Sequence, residues 1–218
     1  MSKQLHPIDL LIFDVDGTLV DTRQDLSNSV NYARYKLGLT SLETAEVMQY
    51  VGEGVRRLME RSLPESLQPN VDEAISFFRE HYREHCLDFS TCYPGVKETL
   101  EYFRQKRMAV ISNKPEEFTR SILKGLGIDS YFALIVGGDS LSKRKPDPEP
   151  VQHVLKQLET DPERALMIGD GTTDVESGRQ AGTKTCAVTY GFRSKEILQA
   201  AQPDFMIADI RELRNFVE

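Results

Sequence analysis

Two aspartates separated by one residue, Asp14 and Asp16, follow the apolar run Leu10-Leu11-Ile12-Phe13 and precede Gly17. In an extended chain residues i and i+2 point the same way, so both carboxylates leave the end of a strand together. Like charges that close are unfavourable unless a cation or a shared proton compensates. Gly17 permits a sharp turn and lets backbone N–H groups approach a ligand. Three other stretches carry related groups: Ser112-Asn113-Lys114, Lys145-Pro146-Asp147, and Asp170 with Asp174 four residues on. Several carboxylates with few His or Cys partners form an oxygen-rich set that suits Mg²⁺, an ion that keeps several waters and pairs with phosphate. A hydroxyl, backbone N–H groups and a point-charge lysine suit phosphate oxygens. A carboxylate among them can attack phosphorus and form an aspartyl-phosphate.

These groups need a scaffold that brings them to one edge. Leu10–Phe13, Met108–Ser112, Ala133–Val136, Ala165–Ile168, Thr185–Val188 and Phe205–Ile207 read as short buried strands. Helical patterns lie between them: one opened by Pro94-Gly95, one by Pro115, one with Val151, Val154 and Leu155, one capped by Thr172 or Thr173, and a short one from Ser194. Asp209 with Glu212 caps the last helix. Strand and helix in alternation predict an α/β fold, a doubly wound, mostly parallel sheet with a Rossmann-like core. In such a sheet every carboxyl-terminal strand end faces the same edge, where ligands bind. The first crossover is interrupted by a block without a convincing strand. It holds helical stripes from Asp25 to about Leu37, from a Thr40/Glu43 capping box through Met48, from Val55 to Ser62, and from Val71 to Cys86. The expected organisation is an α/β core, residues 1–20 and 92–218, with an all-helical cap, residues 21–91, lying over the strand ends.

Composition narrows the function classes. A chain of 218 residues with 39% hydrophobic and 28% charged residues is an ordinary globular protein, with room for one large domain or a core plus a smaller one. A net charge of −7 argues against a nucleic-acid partner, and Lys143-Arg144-Lys145 is too short for a polyanion-binding arm. Three cysteines without C-x-x-C spacing suit reduced thiols. The N-terminal apolar run is too short for a signal peptide, and no stretch approaches the roughly 20 residues that span a bilayer. The expectation is a cytoplasmic protein acting on a small phosphorylated metabolite, without membrane or nucleic-acid partners, as a monomer or homodimer.

The stretch FDVDGTLVDT at Phe13–Thr22, Ser112-Asn113-Lys114, Lys145-Pro146-Asp147-Pro148 and GDGTTD at Gly169–Asp174 together resemble the four signature motifs of the haloacid dehalogenase superfamily of phosphohydrolases. The resemblance runs over essentially the whole chain, the helical insert included. Val51-Gly52-Glu53-Gly54, followed by Leu58 and Arg61, looks like the phosphoglycolate phosphatase branch. The resemblance implies that Asp14 is the nucleophile. It implies that Asp16 protonates the leaving group and then deprotonates the hydrolytic water. Mg²⁺ would be held by the Asp14 carboxylate, the Asp16 backbone carbonyl and Asp170, with Asp174 as a ligand through water or an anchor behind it. Ser112, Asn113 and Lys145 would bind the phosphoryl group, helped by backbone N–H groups near Gly17 and Asn113. Thr18 suits a hydrolase, because the superfamily's sugar-phosphate mutases usually differ there. Gly171 stands where serine is common and Ser112 where threonine is frequent; neither change removes a charge or a reactive group.

Substrate choice is expected to sit in the cap. Glu53 lies in the turn that brings the next helix towards the strand ends, and Arg56 is the guanidinium nearest that helix start, suited to a substrate carboxylate. The implied reaction is Mg²⁺-dependent hydrolysis of 2-phosphoglycolate; pyrophosphate and sugar or nucleotide phosphates are alternatives on the same scaffold. A phosphomutase is disfavoured by Thr18, and a phospho-accepting receiver module by the interrupted first crossover. His81-x-x-Glu84-His85 fits an H-x-x-E-H zinc pattern but sits on an ordinary amphipathic helix with no third ligand evident. Asp14-x-Asp16 is no EF-hand, since Leu19 stands where that loop needs glycine.

Overall fold

A computed structural model describes residues 5–218. Its central sheet is built from β1 (Leu10–Phe13), β4 (Arg107–Ile111), β5 (Leu134–Val136), β6 (Ala165–Gly169), β7 (Lys184–Val188) and β8 (Phe205–Ile207). The spatial order is β5-β4-β1-β6-β7-β8, with every neighbouring pair parallel. Strand β1 is central, with Phe13 level with Val110 of β4 and Ile168 of β6. All four of its side chains are buried, and its period of two divides them between two cores. Leu11 and Phe13 face one layer with Leu100, Phe118 and Ile122; Leu10 and Ile12 face the other with Val151, Val154 and Leu155. The covering helices are α5 (Val96–Tyr102) and α6 (Glu116–Gly125) on the first face and α7 (Glu149–Gln157) on the second. Helix α8 (Thr172–Gln180) packs on β6 and β7, and α9 (Lys195–Ala200) brings Leu198 against Val175 of α8. This is the doubly wound α/β fold expected from the alternating pattern.

The chain leaves and re-enters the core through a two-residue antiparallel ladder, β2 (Val20–Asp21) with β3 (Thr91–Cys92). No strand is expected there from sequence, because two residues offer no period to read. Between these strands lie α1 (Arg23–Lys36), α2 (Thr44–Tyr50), α3 (Val55–Ser62) and α4 (Val71–His85), with a 3₁₀ turn over Glu65–Asn70. The second helix begins three residues later than the Thr40/Glu43 capping box suggests, with Glu43 rather than Thr40 at its N-cap. Asn31 of α1 takes both backbone groups of Leu42 with its side-chain amide, at 2.8 and 2.9 Å, and so keeps that segment out of the helix. Helix α8 likewise is capped by Gly171 rather than by Thr172 or Thr173.

Helices α1 and α4 pack along each other, and Ser29 bonds His81 across them at 2.9 Å. His85 bonds Asp88 at 2.8 Å, so both histidines of the H-x-x-E-H pattern serve local contacts. Cys86 and Cys186 are buried and Cys92 half-buried, all three as free thiols. Among the described residues, no helix is long and apolar enough to cross a membrane. Asp25 of α1 ties the returning chain down: its carboxylate accepts from the N–H groups of Phe89 (3.1 Å) and Ser90 (2.8 Å) and from the Ser90 hydroxyl (2.6 Å). Asp25 is 1% exposed, so its loss would leave those donors without a replacement. Asp25→Ala should lower unfolding free energy by roughly 2–4 kcal/mol, read from the urea midpoint at unchanged m-value, on the scale of an orphaned set of charge-assisted hydrogen bonds.

Candidate active site

Every parallel strand near the centre delivers a polar side chain just past its carboxyl end. Asp14 follows β1, Ser112 follows β4, Asp170 follows β6, and Asp174 lies in the first turn of α8. Lys145, on the loop between β5 and α7, reaches into the middle of them. Its Nζ lies 2.8 Å from Asp14 Oδ1, 2.6 Å from Asp174 Oδ1 and 2.7 Å from the Ile111 carbonyl oxygen. Burial alone would depress its pKa, but the two carboxylates more than offset that and hold it above the usual lysine range. Asp174 is pinned at both ends, since its Oδ2 accepts from the Gly171 N–H at 2.9 Å. Asp170 accepts from the Phe192 N–H at 2.6 Å. Gly17 closes tightly on this cluster with φ of 82°: a Cβ there would lie 2.2 Å from Asp170 Oδ2, a conformation and a clearance that only glycine meets.

Oxygen atoms of Asp14, Asp170 and Asp174 all lie within 4.8 Å of one another. Ionising all three carboxylates against one lysine would leave a net charge of −2 in a buried site. Burial, then repulsion from Asp174 and Asp16, pushes Asp14 up to about 7 against the pull of Lys145. Burial, Asp14 and Asp174 likewise push Asp170 well above the carboxylate range. A donor set made of oxygens, dry and short of positive charge, fits a hard divalent cation such as Mg²⁺. Asp16 contributes no carboxylate oxygen to this group. Its Oδ1 instead accepts from Thr22 Oγ1 at 2.6 Å and Lys114 Nζ at 2.7 Å, while Oδ2 carries no hydrogen bond among the described residues.

Over the cluster lies a cavity of about 220 Å³, its cap side lined by Val51, Gly52, Glu53, Leu58, Arg61 and Tyr82. Ser112 and Asn113 line its core side. Ser112 Oγ accepts from the Lys114 N–H at 3.2 Å, which leaves its own proton free to donate. Asn113 donates to the carbonyl oxygens of Lys145 and Gly52, each at 2.8 Å, and so joins core to cap. The N–H of Gly17 itself is committed to the Val20 carbonyl at 2.9 Å.

The structure brings Asp14, Asp16, Ser112, Asn113, Lys145, Asp170, Asp174 and Glu53 together around this cavity, and leaves Arg56 out. Arg56 is exposed and pairs with Asp72 on the outer face of the cap. Position 56 follows Val55 by one residue and is turned about 100° round the helix from it, whereas Arg61, three residues beyond the buried Leu58, stays on the inner side. Arg61 pairs with Glu53 at 2.6 Å.

Three residues of the site carry no expectation from sequence. Lys114 is 7% exposed and reaches from the core to Asp16 and, at 2.5 Å, to the Tyr82 hydroxyl of α4. Its place in Ser112-Asn113-Lys114 was the available signal. Tyr82 reads from sequence only as part of an apolar stripe. Arg193 follows β7 and lines the cavity; reading past that strand's end, as past the others, would have found it.

Carboxylates, a lysine and a hydroxyl gathered at the carboxyl edge of a doubly wound sheet, beneath a helical insert, define a hydrolase class that works through acidic side chains. The chain belongs to the haloacid dehalogenase-like hydrolase family, whose model matches residues 11–188. It is 38% identical over 201 residues to a phosphoglycolate phosphatase of Aquifex aeolicus, covering 91% of this chain and 92% of that one. It is 35% identical to a phosphoglycolate phosphatase of Chromobacterium violaceum over 98% of both chains. A crystal structure from Haemophilus somnus 129pt, described as a predicted phosphoglycolate phosphatase, superposes with a TM-score of 0.89 at 30% identity, covering 95% of this chain and 97% of that one. The protein is thus an enzyme, a hydrolase of the phosphoric monoester class.

Lys114→Met would strand the Asp16 carboxylate, whose side chain is 12% exposed, without its cation. Its unfolding free energy should fall by about 3 kcal/mol or more, and adding Asp16→Asn should recover part of that loss in a double-mutant cycle. Additive losses would show that the two side chains do not stabilise each other.

Proposed function

We propose that this enzyme hydrolyses 2-phosphoglycolate through an aspartyl-phosphate on Asp14. The observation that carries the reading is the setting of Asp14 at the floor of a small cavity: Lys145 holds Oδ1, while Oδ2 has no hydrogen-bond partner among the described residues. That oxygen attacks phosphorus, the ester P–O bond breaks, and Asp16 Oδ2 gives its proton to the departing alkoxide. A water then attacks the phosphorus of the acyl phosphate, Asp16 takes up its proton, and Asp14 is released with inorganic phosphate. Lys145 and the Ser112 hydroxyl face the oxygens on which negative charge shifts during both transfers. Asp14, Asp170 and the Asp16 backbone carbonyl, with Asp174 behind them, would hold Mg²⁺, which would supply positive charge and a template for the phosphate dianion.

The substrate rests on two supports. Relatives at 38% and 35% identity carry the name phosphoglycolate phosphatase over nearly the whole chain. The cavity, at about 220 Å³, is smaller than the roughly 300–1,000 Å³ of sites for drug-sized ligands, which favours a two-carbon ester over a nucleotide.

With Mg²⁺ present, 2-phosphoglycolate should rank first in kcat/KM over pyrophosphate, sugar phosphates and nucleoside monophosphates. A lower rank would remove the substrate assignment. Chelation should stop turnover and Mg²⁺ restore it, with Ca²⁺ a poor replacement because it prefers more ligands and looser geometry. Full activity after exhaustive chelation would exclude the metal.

Asp14→Asn should keep the fold and lose turnover by more than about 100-fold, because an amide is a weak nucleophile and uncatalysed ester hydrolysis is very slow. Retention of more than about a hundredth of the wild-type rate would assign the attack to another group.

A further inference from the structure

The cavity is lined by four cationic side chains among the described residues: Arg61, Lys114, Lys145 and Arg193. Three are matched by carboxylates. Lys145 lies between Asp14 and Asp174, Lys114 on Asp16, and Arg61 on Glu53. Arg193 differs. Its Nη1 donates to the Met48 carbonyl at 2.9 Å and its Nη2 to the Val51 carbonyl, both on the cap, and it forms no ion pair among the described residues. Carbonyl oxygens orient a guanidinium without cancelling its charge. Arg193 therefore presents to the cavity a fixed positive charge that no carboxylate bonds among the described residues.

Its position relative to the cluster is also set. The preceding residue, Phe192, donates its backbone N–H to Asp170, so the segment carrying Arg193 is tied to the carboxylates. The guanidinium packs against the Gly52 turn, where a Cβ would lie 3.3 Å from Nη2. It stands near the phosphate end of the cavity yet makes no contact with any of the cluster carboxylates. A guanidinium has five N–H donors in a planar fork, so two carbonyl contacts leave capacity for a further anion.

We propose that Arg193 binds the second anionic group of the substrate and thereby selects phosphate esters that carry a carboxylate close to phosphorus. The proposal rests on the phosphatase reading above, and it assigns to a core loop the role expected from sequence for Arg56 of the cap. Since Arg193 is held by cap carbonyls, a carboxylate bound to it is fixed relative to core and cap together.

The test compares kcat/KM for 2-phosphoglycolate and 2-hydroxyethyl phosphate, which share chain length but differ in the carboxylate. 3-Phosphoglycerate and pyrophosphate serve as further anion-bearing substrates. Arg193→Gln should reduce the ratio of the first pair about 30-fold or more, the scale of losing a charge-assisted hydrogen bond, and Arg193→Lys should restore part of it. Equal losses on both esters would overturn the proposal, because Arg193 would then act only as a tie between core and cap. No loss on either would overturn it as well. A loss confined to the anion-bearing esters supports Arg193 even where 2-phosphoglycolate ranks low and the substrate assignment falls. An unselective loss removes Arg193 even where 2-phosphoglycolate ranks first.

Discussion

Lys145 shared between Asp14 and Asp174 is the contact on which the active edge of this protein depends. The lysine side chain is 2% exposed, and two carboxylates meet it at 2.8 and 2.6 Å. A buried ammonium of this kind is costly unless paired, and a buried carboxylate equally so. Each partner comes from a different part of the chain: Asp14 from the end of β1, Lys145 from the loop after β5, Asp174 from the first turn of α8. Their meeting requires the parallel register that sets Phe13 level with Val110 and Ile168, because a one-residue slip would turn Asp14 away. The arrangement leaves carboxylates in excess of lysine, the balance that suits a hard cation rather than a structural ion-pair network.

The cap is joined to this edge by polar contacts rather than by a continuous apolar seam alone. Asn113 donates to Gly52, Arg193 to Met48 and Val51, and Lys114 to Tyr82. All three donors belong to the core, and two of them reach backbone carbonyls of the cap. Part of the apolar contribution comes from Tyr82 packed edge-on against Phe118 of α6, with ring centroids 5.1 Å apart, within a buried cluster that runs through both. Tyr82 thus holds the cap down with its ring and meets Lys114, and through it Asp16, with its hydroxyl. Polar ties of this sort exchange readily with water, whereas a large dry interface would not. Such ties suit a cap that admits and releases ligand.

The core was legible because its signals are short-range and redundant. Each strand of the sheet shows as a brief apolar run, and polar residues past the ends of β1, β4 and β6 mark the edge. Asp14, Ser112, Asp170 and Asp174 could be placed together by topology alone. What could not be read are features set by tertiary contact. The ladder of Val20–Asp21 with Thr91–Cys92 is too short to show a period. Asn31 overrides a local capping box by taking the backbone of Leu42. Arg56 and Arg61 are both guanidinium groups on one helix, and only the packing of Leu58 and Met59 decides which one faces inward. Lys114 was visible as a residue but its use was not, since its partner Tyr82 lies in the cap, 32 residues away in sequence.

The cap's contribution to recognition differs in kind from that of the core. Core side chains carry the charges: Asp14, Asp170, Asp174, Lys145, Lys114 and Arg193 all leave loops or first helical turns next to the sheet. The cap supplies backbone carbonyls, the apolar walls of Leu58 and Phe78, and one internally neutralised pair, Arg61 with Glu53. A rigid sheet holds charges to the tolerance that phosphoryl transfer requires, because strand ends move little relative to one another. A helical insert on a two-residue ladder is held far less firmly. On the proposal made for Arg193, a charged selector carried on the core and steadied by cap carbonyls would sit where the scaffold is rigid, with its alignment dependent on cap position. A substrate lacking the second anion would then find the same phosphate site but nothing to fix it against Arg193.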